Sequence, residues 1–77
     1  MQERRYKILM REEQEGGYTV TVPVLPGCVT FGKNLNEAIS MAREAIELYI
    51  EHLVVMGEDI PSEDGLFEYT LTVTAHA

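Results

Sequence analysis

Residues 34–57 constrain the fold more than any other stretch of the chain. Asn34-Leu35-Asn36-Glu37 has the form of a capping box, in which Asn34 accepts from a first-turn amide and Glu37 reaches back. Gly57 suits a left-handed C-cap, and Pro61 prevents the helix from resuming. Between these signals Leu35, Ala38, Ile39, Ala42, Ala45, Ile46, Tyr49, Leu53 and Met56 recur at spacings of three and four, with Ser40, Glu44, Glu47 and Glu51 opposite. The spacing predicts one long helix over 35–56. In a chain of 77 residues this leaves room for one sheet and one domain, spanning 1–77.

The remaining segments read as strands. Tyr6, Ile8 and Met10 share one face at the strand period, and Tyr18, Val20 and Val22 do the same with Thr19 and Thr21 pointing outward. Gly16-Gly17 between them is a turn signal, since both residues tolerate positive φ. Pro23 cannot donate to a ladder, so it ends the second strand or marks an edge. Leu25-Pro26-Gly27 is a compact bend, Cys28-Val29-Thr30-Phe31 a short third strand closed by Gly32, and Phe67-Glu68-Tyr69-Thr70-Leu71-Thr72-Val73 a fourth. The expected class is α+β in the order β-β-β-α-β, one mainly antiparallel sheet with a single long helix packed on one face.

A chain this short removes only about 60% of its unfolded surface from water, so its core leaves little margin. With one cysteine there is no internal disulfide, and no metal site is evident, which leaves association with further copies as the usual remedy. A homo-oligomer, dimer or tetramer, is therefore expected. The single Cys28 in an apolar stretch fits a reducing cytosol, and residues 1–11 lack the apolar run of a signal peptide. The expected location is cytoplasmic.

The net charge of -7 is unevenly spread. Arg4, Arg5, Lys7 and Arg11 stand against Glu3 at the start, whereas from residue 12 onward only Lys33 and Arg43 oppose twelve carboxylates. An acidic main surface repels phosphate backbones, so no direct nucleic-acid contact is expected. A basic protein partner would be attracted and its encounter rate raised, although the charge serves solubility equally well.

One helical stripe lies outside the core pattern. Met41, Leu48 and Val55 are spaced by seven, roughly 100–140° from the centre of the buried face. Exposed, this stripe is a candidate contact surface; covered by a folded-back 57–66 loop, it is not. The outer sheet face, with Thr19, Thr21, Thr70 and Thr72, is polar but uncharged and also suits packing against another chain.

Catalysis needs a nucleophile with its base, or convergent metal ligands. His52 sits at the edge of the helical apolar stripe and His76 near the C-terminus, neither with a Cys or Asp at ligand spacing. Glu12, Glu13 and Glu15 crowd a hairpin end, and Glu58, Asp59, Glu63 and Asp64 a loop, but neither group follows an EF-hand or facial-triad spacing. The glycines match no phosphate-binding loop. No catalytic residue, metal ligand or cofactor is assigned.

The stretch Gly17-Tyr18-Thr19-Val20-Thr21-Val22-Pro23-Val24-Leu25-Pro26-Gly27-Cys28, continued by Gly32-Lys33-Asn34-Leu35-Asn36-Glu37-Ala38, resembles the N-terminal domain of HicB-type antitoxins. That pattern is a strand, then P-x-L-P-G-C, then G-x-[ST]-x-x-E-A opening a helix. Ala42-Arg43-Glu44-Ala45-Ile46 and Gly57-Glu58-Asp59-Ile60-Pro61 continue it, so the likeness covers about residues 4–74. Asn34 stands where the family usually has Ser or Thr, a change that keeps the cap.

The resemblance implies a partial RNase H-like fold and a domain that binds and inhibits HicA, a small basic RNA-cleaving toxin. Longer members add a C-terminal DNA-binding module. This chain ends at Ala77, directly after the expected last strand, so operator binding is not expected of it. The motif residues Pro23, Leu25, Pro26, Gly27, Cys28, Gly32, Glu37 and Ala38 are expected to serve the fold more than any contact. Two readings remain: an antitoxin that occludes a HicA-type toxin, or a solitary oligomeric domain binding an unknown protein or small ligand. A metal-dependent nuclease would need carboxylates aimed inward from the strands, where Tyr, Ile, Val, Leu and Met stand instead.

Overall fold

Four elements follow one another: β1 (Leu9–Glu12), β2 (Tyr18–Thr21), β3 (Val29–Gly32) and α1 (Leu35–Met56). They are seen in a computed structural model in which residues 3–76 are described. The strands form one antiparallel sheet in the order β1-β2-β3, and α1 crosses one face. The α+β class, the single antiparallel sheet and the helix boundaries agree with the sequence pattern.

The first reversal depends on glycine. Gly16 N–H donates to the Glu13 carbonyl at 3.0 Å and Glu13 N–H to the Gly17 carbonyl at 2.9 Å, with Gly16 at φ 103° and Gly17 at φ 84°. A three-residue hairpin loop ending in a left-handed residue has this bonding pattern, and it sets the register. Leu9 then lies opposite Thr21 and Thr21 opposite Val29, while Arg11 lies opposite Thr19 and Thr19 opposite Phe31. These six side chains share the outer face. Val20, paired with Met10 and Thr30, points to the helix and is fully buried with Ala38 and Ala42.

Between β2 and β3 the chain makes two successive turns. Leu25 N–H donates to the Val22 carbonyl at 3.0 Å, and Cys28 N–H to the Leu25 carbonyl at 2.9 Å. Pro26 and Gly27 hold the central positions of the second, where Gly27 at φ 79° meets the positive-φ requirement of a type II turn. Val22 N–H closes the loop on the Cys28 carbonyl at 3.1 Å. The bend thereby folds Val22, Leu25 and Cys28 into one buried cluster, against which Tyr6, Ala45, Ile46 and Tyr49 pack. Burying a side chain such as Leu25 or Val20 stabilises the fold by about 1.5–3 kcal/mol each. Cys28 thus closes a turn, and the third strand begins one residue later than expected, at Val29.

The helix ends are satisfied at both termini. Asn34 Oδ1 accepts from Glu37 N–H at 2.8 Å, and Glu37 Oε1 accepts from Lys33 N–H at 2.9 Å, one residue earlier than the usual box. At the other end Gly57, at φ 70°, donates to the Val54 carbonyl while Glu58 N–H reaches the Leu53 carbonyl, the paired bonds of a Schellman motif. Leu53 is buried beneath this cap.

Two expectations about coverage are corrected. Leu35, Ile39 and Met56, expected in the core, are 49%, 43% and 58% exposed. A helix face about 100° wide meets a three-stranded sheet only along its centre, and the flanking positions have nothing above them. The expected fourth strand is the second case. Among the described residues 67–76 none pairs with a strand of this chain, and Phe67, Tyr69, Leu71 and Val73 are 75–89% exposed. Alternation marks a segment's two faces, but a strand also needs a neighbour's backbone. The chain is held elsewhere just before that point, by Tyr6 Oη donating to the Pro61 carbonyl at 2.7 Å.

Candidate partner-binding surface

The buried face of α1 is built from Ala38, Ala42 and Leu53, with Ala45, Ile46 and Tyr49 half-buried beside them. Small alanines let the helix approach the sheet closely, and Tyr49 locks it there by donating its hydroxyl to the Pro26 carbonyl at 2.8 Å. That seating fixes what the rest of the helix presents. Met41, Leu48 and Val55 are exposed, Leu48 by 60% and Val55 by 78%. Glu44 and Glu51, also exposed, interleave with them at spacings of three and four. By helix geometry the five positions fall within roughly 80° of one another, forming a ridge that alternates apolar and anionic side chains.

The 57–66 loop does not cover this ridge. It runs instead along the N-terminal segment, where Lys7 N–H donates to the Glu63 carboxylate and Lys7 Nζ lies 3.7 Å from Glu63 Oε1. Glu63 and Asp64, which sequence alone grouped with Glu58 and Asp59 as a loose acidic cluster, line a cavity with Arg4 and Arg5. Glu63, paired with Lys7, ties the loop to the N-terminal segment.

On the outer sheet face the structure brings together Thr19 and Thr21, as the alternation required, but not Thr70 and Thr72. Those two lie in the unpaired 67–73 segment, outside the sheet. The face is also less polar than the threonines implied. Leu9, Val29 and Phe31 flank them, 54%, 56% and 48% exposed, with Arg11 alongside. Sequence reading passed over these residues, although Leu9 alternates with Ile8 and Met10, and Val29 and Phe31 stand two apart. Strand alternation marks the inward members as core, and the outward members carry the surface.

The motif residues sit at the two ends of β3, the double turn before it and the start of α1 after it. Pro23 and Pro26 are exposed on the double turn, Leu25 and Cys28 are buried beneath it, and Gly27 turns it. Glu37 closes the cap, and Gly32 lies against the first helical turn at fully buried Ala38. Burial pushes the Cys28 thiol above its ordinary value, which keeps it protonated and opposes nucleophilic use. His52 and His76 are both exposed.

A further feature had no counterpart in the sequence reading. Beside the open edge of β1, on the helix side of the sheet, runs a trough of about 560 Å³ floored by Tyr6, Ile8, Ile39, Ala42, Ile46 and Ile50, with Arg43, Glu47 and Glu51 at its rim. Residues 66–70 do not enter it. Leu66, Glu68, Tyr69 and Thr70 border a separate cavity with Lys7, Leu9 and Pro23.

Residues 6–73 match the family described as the HicB-like antitoxin of bacterial toxin-antitoxin systems. The chain belongs to that family. Among its relatives is a UPF0150 protein of Thermoplasma acidophilum, 42% identical over 61 residues, which cover 79% of this chain and 88% of that one. A UPF0150 protein of Synechocystis is 44% identical over 59 residues, 77% of this chain and 75% of the relative. Antitoxin HicB 1 of Photorhabdus laumondii is 35% identical over 57 residues; these are 74% of this chain but only 37% of that antitoxin. No solved structure gives a significant match. Among the described residues, no helix is long and apolar enough to cross a membrane.

Proposed function

We propose that this protein is a cytoplasmic antitoxin that neutralises a small, basic, HicA-type RNA-cleaving toxin by covering its active surface, with no bond made or broken. The observation that carries the reading is the exposed Met41, Glu44, Leu48, Glu51, Val55 ridge on a chain of the HicB-like antitoxin family. Carboxylates with a formal net charge of -7 behind them would speed encounter with a basic partner. The interleaved apolar side chains would then exclude water at the contact, where most binding energy resides. This chain and RNA would compete for one surface of the toxin, so inhibition needs only affinity.

Co-expression tests this directly. A small basic protein encoded by the neighbouring reading frame should arrest growth alone and be silenced when this chain is present; lack of such a neighbour, or continued toxicity, refutes the antitoxin reading. Leu48→Glu should weaken toxin binding about 30-fold, the equivalent of roughly 2 kcal/mol for losing one central contact. The side chain is exposed, so folding should be unaffected. Unchanged affinity would remove the ridge from the interface.

A further inference from the structure

The unpaired segment, the open sheet edge and the apolar trough are complementary. Residues 67–73 alternate Phe67, Tyr69, Leu71 and Val73 with Glu68, Thr70 and Thr72, the pattern of a strand with one apolar face. Those apolar side chains stand 75–89% exposed, an arrangement water strongly disfavours. The radius of gyration is 15.0 Å, against about 11–12 Å for a compact chain of this length, and the long axis reaches 48 Å. An arm thus projects from the domain. Meanwhile, among the described residues, β1 pairs only with β2, so alternate N–H and C=O groups of Leu9–Glu12 face away from the sheet.

We propose that two copies of this chain exchange their C-terminal arms: residues 67–73 of each add as a fourth strand to the β1 edge of the other, seating their apolar side chains in its trough. The dimensions agree. Seven residues at about 3.3 Å each span about 23 Å, enough to run beside the four residues of β1 and on past Ile8 and Tyr6, which line the trough. The trough floor of Tyr6, Ile8, Ile39, Ile46 and Ile50 is apolar, as the inward face of the arm is. The opposite face of the arm would carry Thr70 and Thr72 beside Leu9 and Arg11, continuing the row begun by Thr19 and Thr21.

A second copy is the occupant because the chain's own arm starts on the wrong side. The loop is tied to the segment ahead of β1 at Tyr6 and Lys7, a turn closed by Leu66 N–H on the Glu63 carbonyl follows, and Leu66, Glu68, Tyr69 and Thr70 then border the cavity at Leu9 and Pro23. Exchange is reciprocal, so a two-fold dimer satisfies both edges and both arms and closes without forming filaments. It adds strands by backbone bonding with side-chain pockets giving specificity. The exchange goes beyond the toxin reading and stands whether or not a toxin is the partner.

Sedimentation of the full-length protein over a hundredfold concentration range should give twice the 8.7 kDa chain mass. Leu71→Asp in the arm and Ile39→Asp in the trough should each weaken dimerisation at least tenfold, with the helical circular dichroism unchanged. As a positional check, Arg43→Cys and Tyr69→Cys proteins, co-expressed and oxidised, should yield a disulfide-linked species containing one of each. A monomer at every concentration would overturn the proposal. So would a dimer indifferent to both aspartates, or a Arg43→Cys, Tyr69→Cys double variant that cross-links within a single chain.

Discussion

Gly32→Ala is the substitution on which the packing of helix against sheet is most exposed. Gly32 ends β3 without a positive φ, so alanine there meets no conformational penalty. The cost is steric alone. A Cβ at this position would lie 2.3 Å from Ala38 N, 2.4 Å from Ala38 Cα and 2.8 Å from the Glu37 carbonyl carbon. All three are backbone atoms, so no rotamer change relieves the overlap. The first turn of α1 would have to withdraw by about 1 Å, lifting Ala38 from Val20 and straining both cap bonds. Overpacking costs about 1–3 kcal/mol in general, and a backbone collision belongs at the upper end. Against a total of roughly 4–12 kcal/mol for 77 residues, a loss of about 3 kcal/mol should lower the melting temperature by about 12–24 °C. The control is Gly57→Ala, whose Cβ meets nothing but whose φ of 70° penalises a side chain. There the left-handed cost of about 1–2 kcal/mol is partly offset by reduced freedom of the unfolded chain, leaving about 1 kcal/mol. Both variants should be unfolded in urea at one protein concentration, because association would shift the midpoint. If Gly32→Ala proves no more damaging than Gly57→Ala, the close approach of β3 to the helix start is refuted.

Asn34→Ala removes the acceptor for Glu37 N–H and should cost about 1 kcal/mol, read as a drop of about 1 M in the urea midpoint for so small a protein. Cys28 supplies a pH test. Its pKa is raised in the folded state by burial, so the fold favours the protonated thiol. That contribution is complete below the unfolded value and is lost as pH rises through the folded one. Stability should therefore fall above about pH 9, and a Cys28→Ala variant should lack that part of the decline; identical profiles would contradict a buried thiol.

What the residues disclosed depended on how local the governing interaction is. The helix was legible to the residue because its signals are adjacent in sequence: Asn34 with Glu37, Gly57 with Val54 and Leu53. The hairpin and the Pro26-Gly27 bend were legible for the same reason, each being decided by two residues with restricted φ. Burial was legible only in part. Val20, Ala38 and Ala42 meet because strand and helix periods converge at the sheet's centre, but Leu35, Ile39 and Met56 obey the same period and stay exposed. Periodicity tells which face is apolar and is silent on how wide the covering layer is. The trough could not be read at all, since Tyr6 and Ile50 are brought together by the tertiary arrangement alone.

The fourth strand carries that distinction furthest. Alternation gives residues 67–73 the pattern of a strand; what a sequence period cannot encode is whose edge receives it. The two exposed apolar features of α1 bear on this. The trough-lining positions Ile39, Ile46 and Ile50 and the ridge positions Met41, Leu48 and Val55 are separated by roughly 180° around the helix axis. An arm seated in the trough therefore leaves Met41, Leu48 and Val55 in solvent, with Glu51 alone at the shared rim. Strand exchange would supply the buried surface that a chain this short lacks, and it would place two ridges on one particle. A partner that engages both gains from the second contact without any new residue, because the second binding event becomes intramolecular. Assembly and partner capture then draw on opposite flanks of one helix, so neither need be sacrificed for the other.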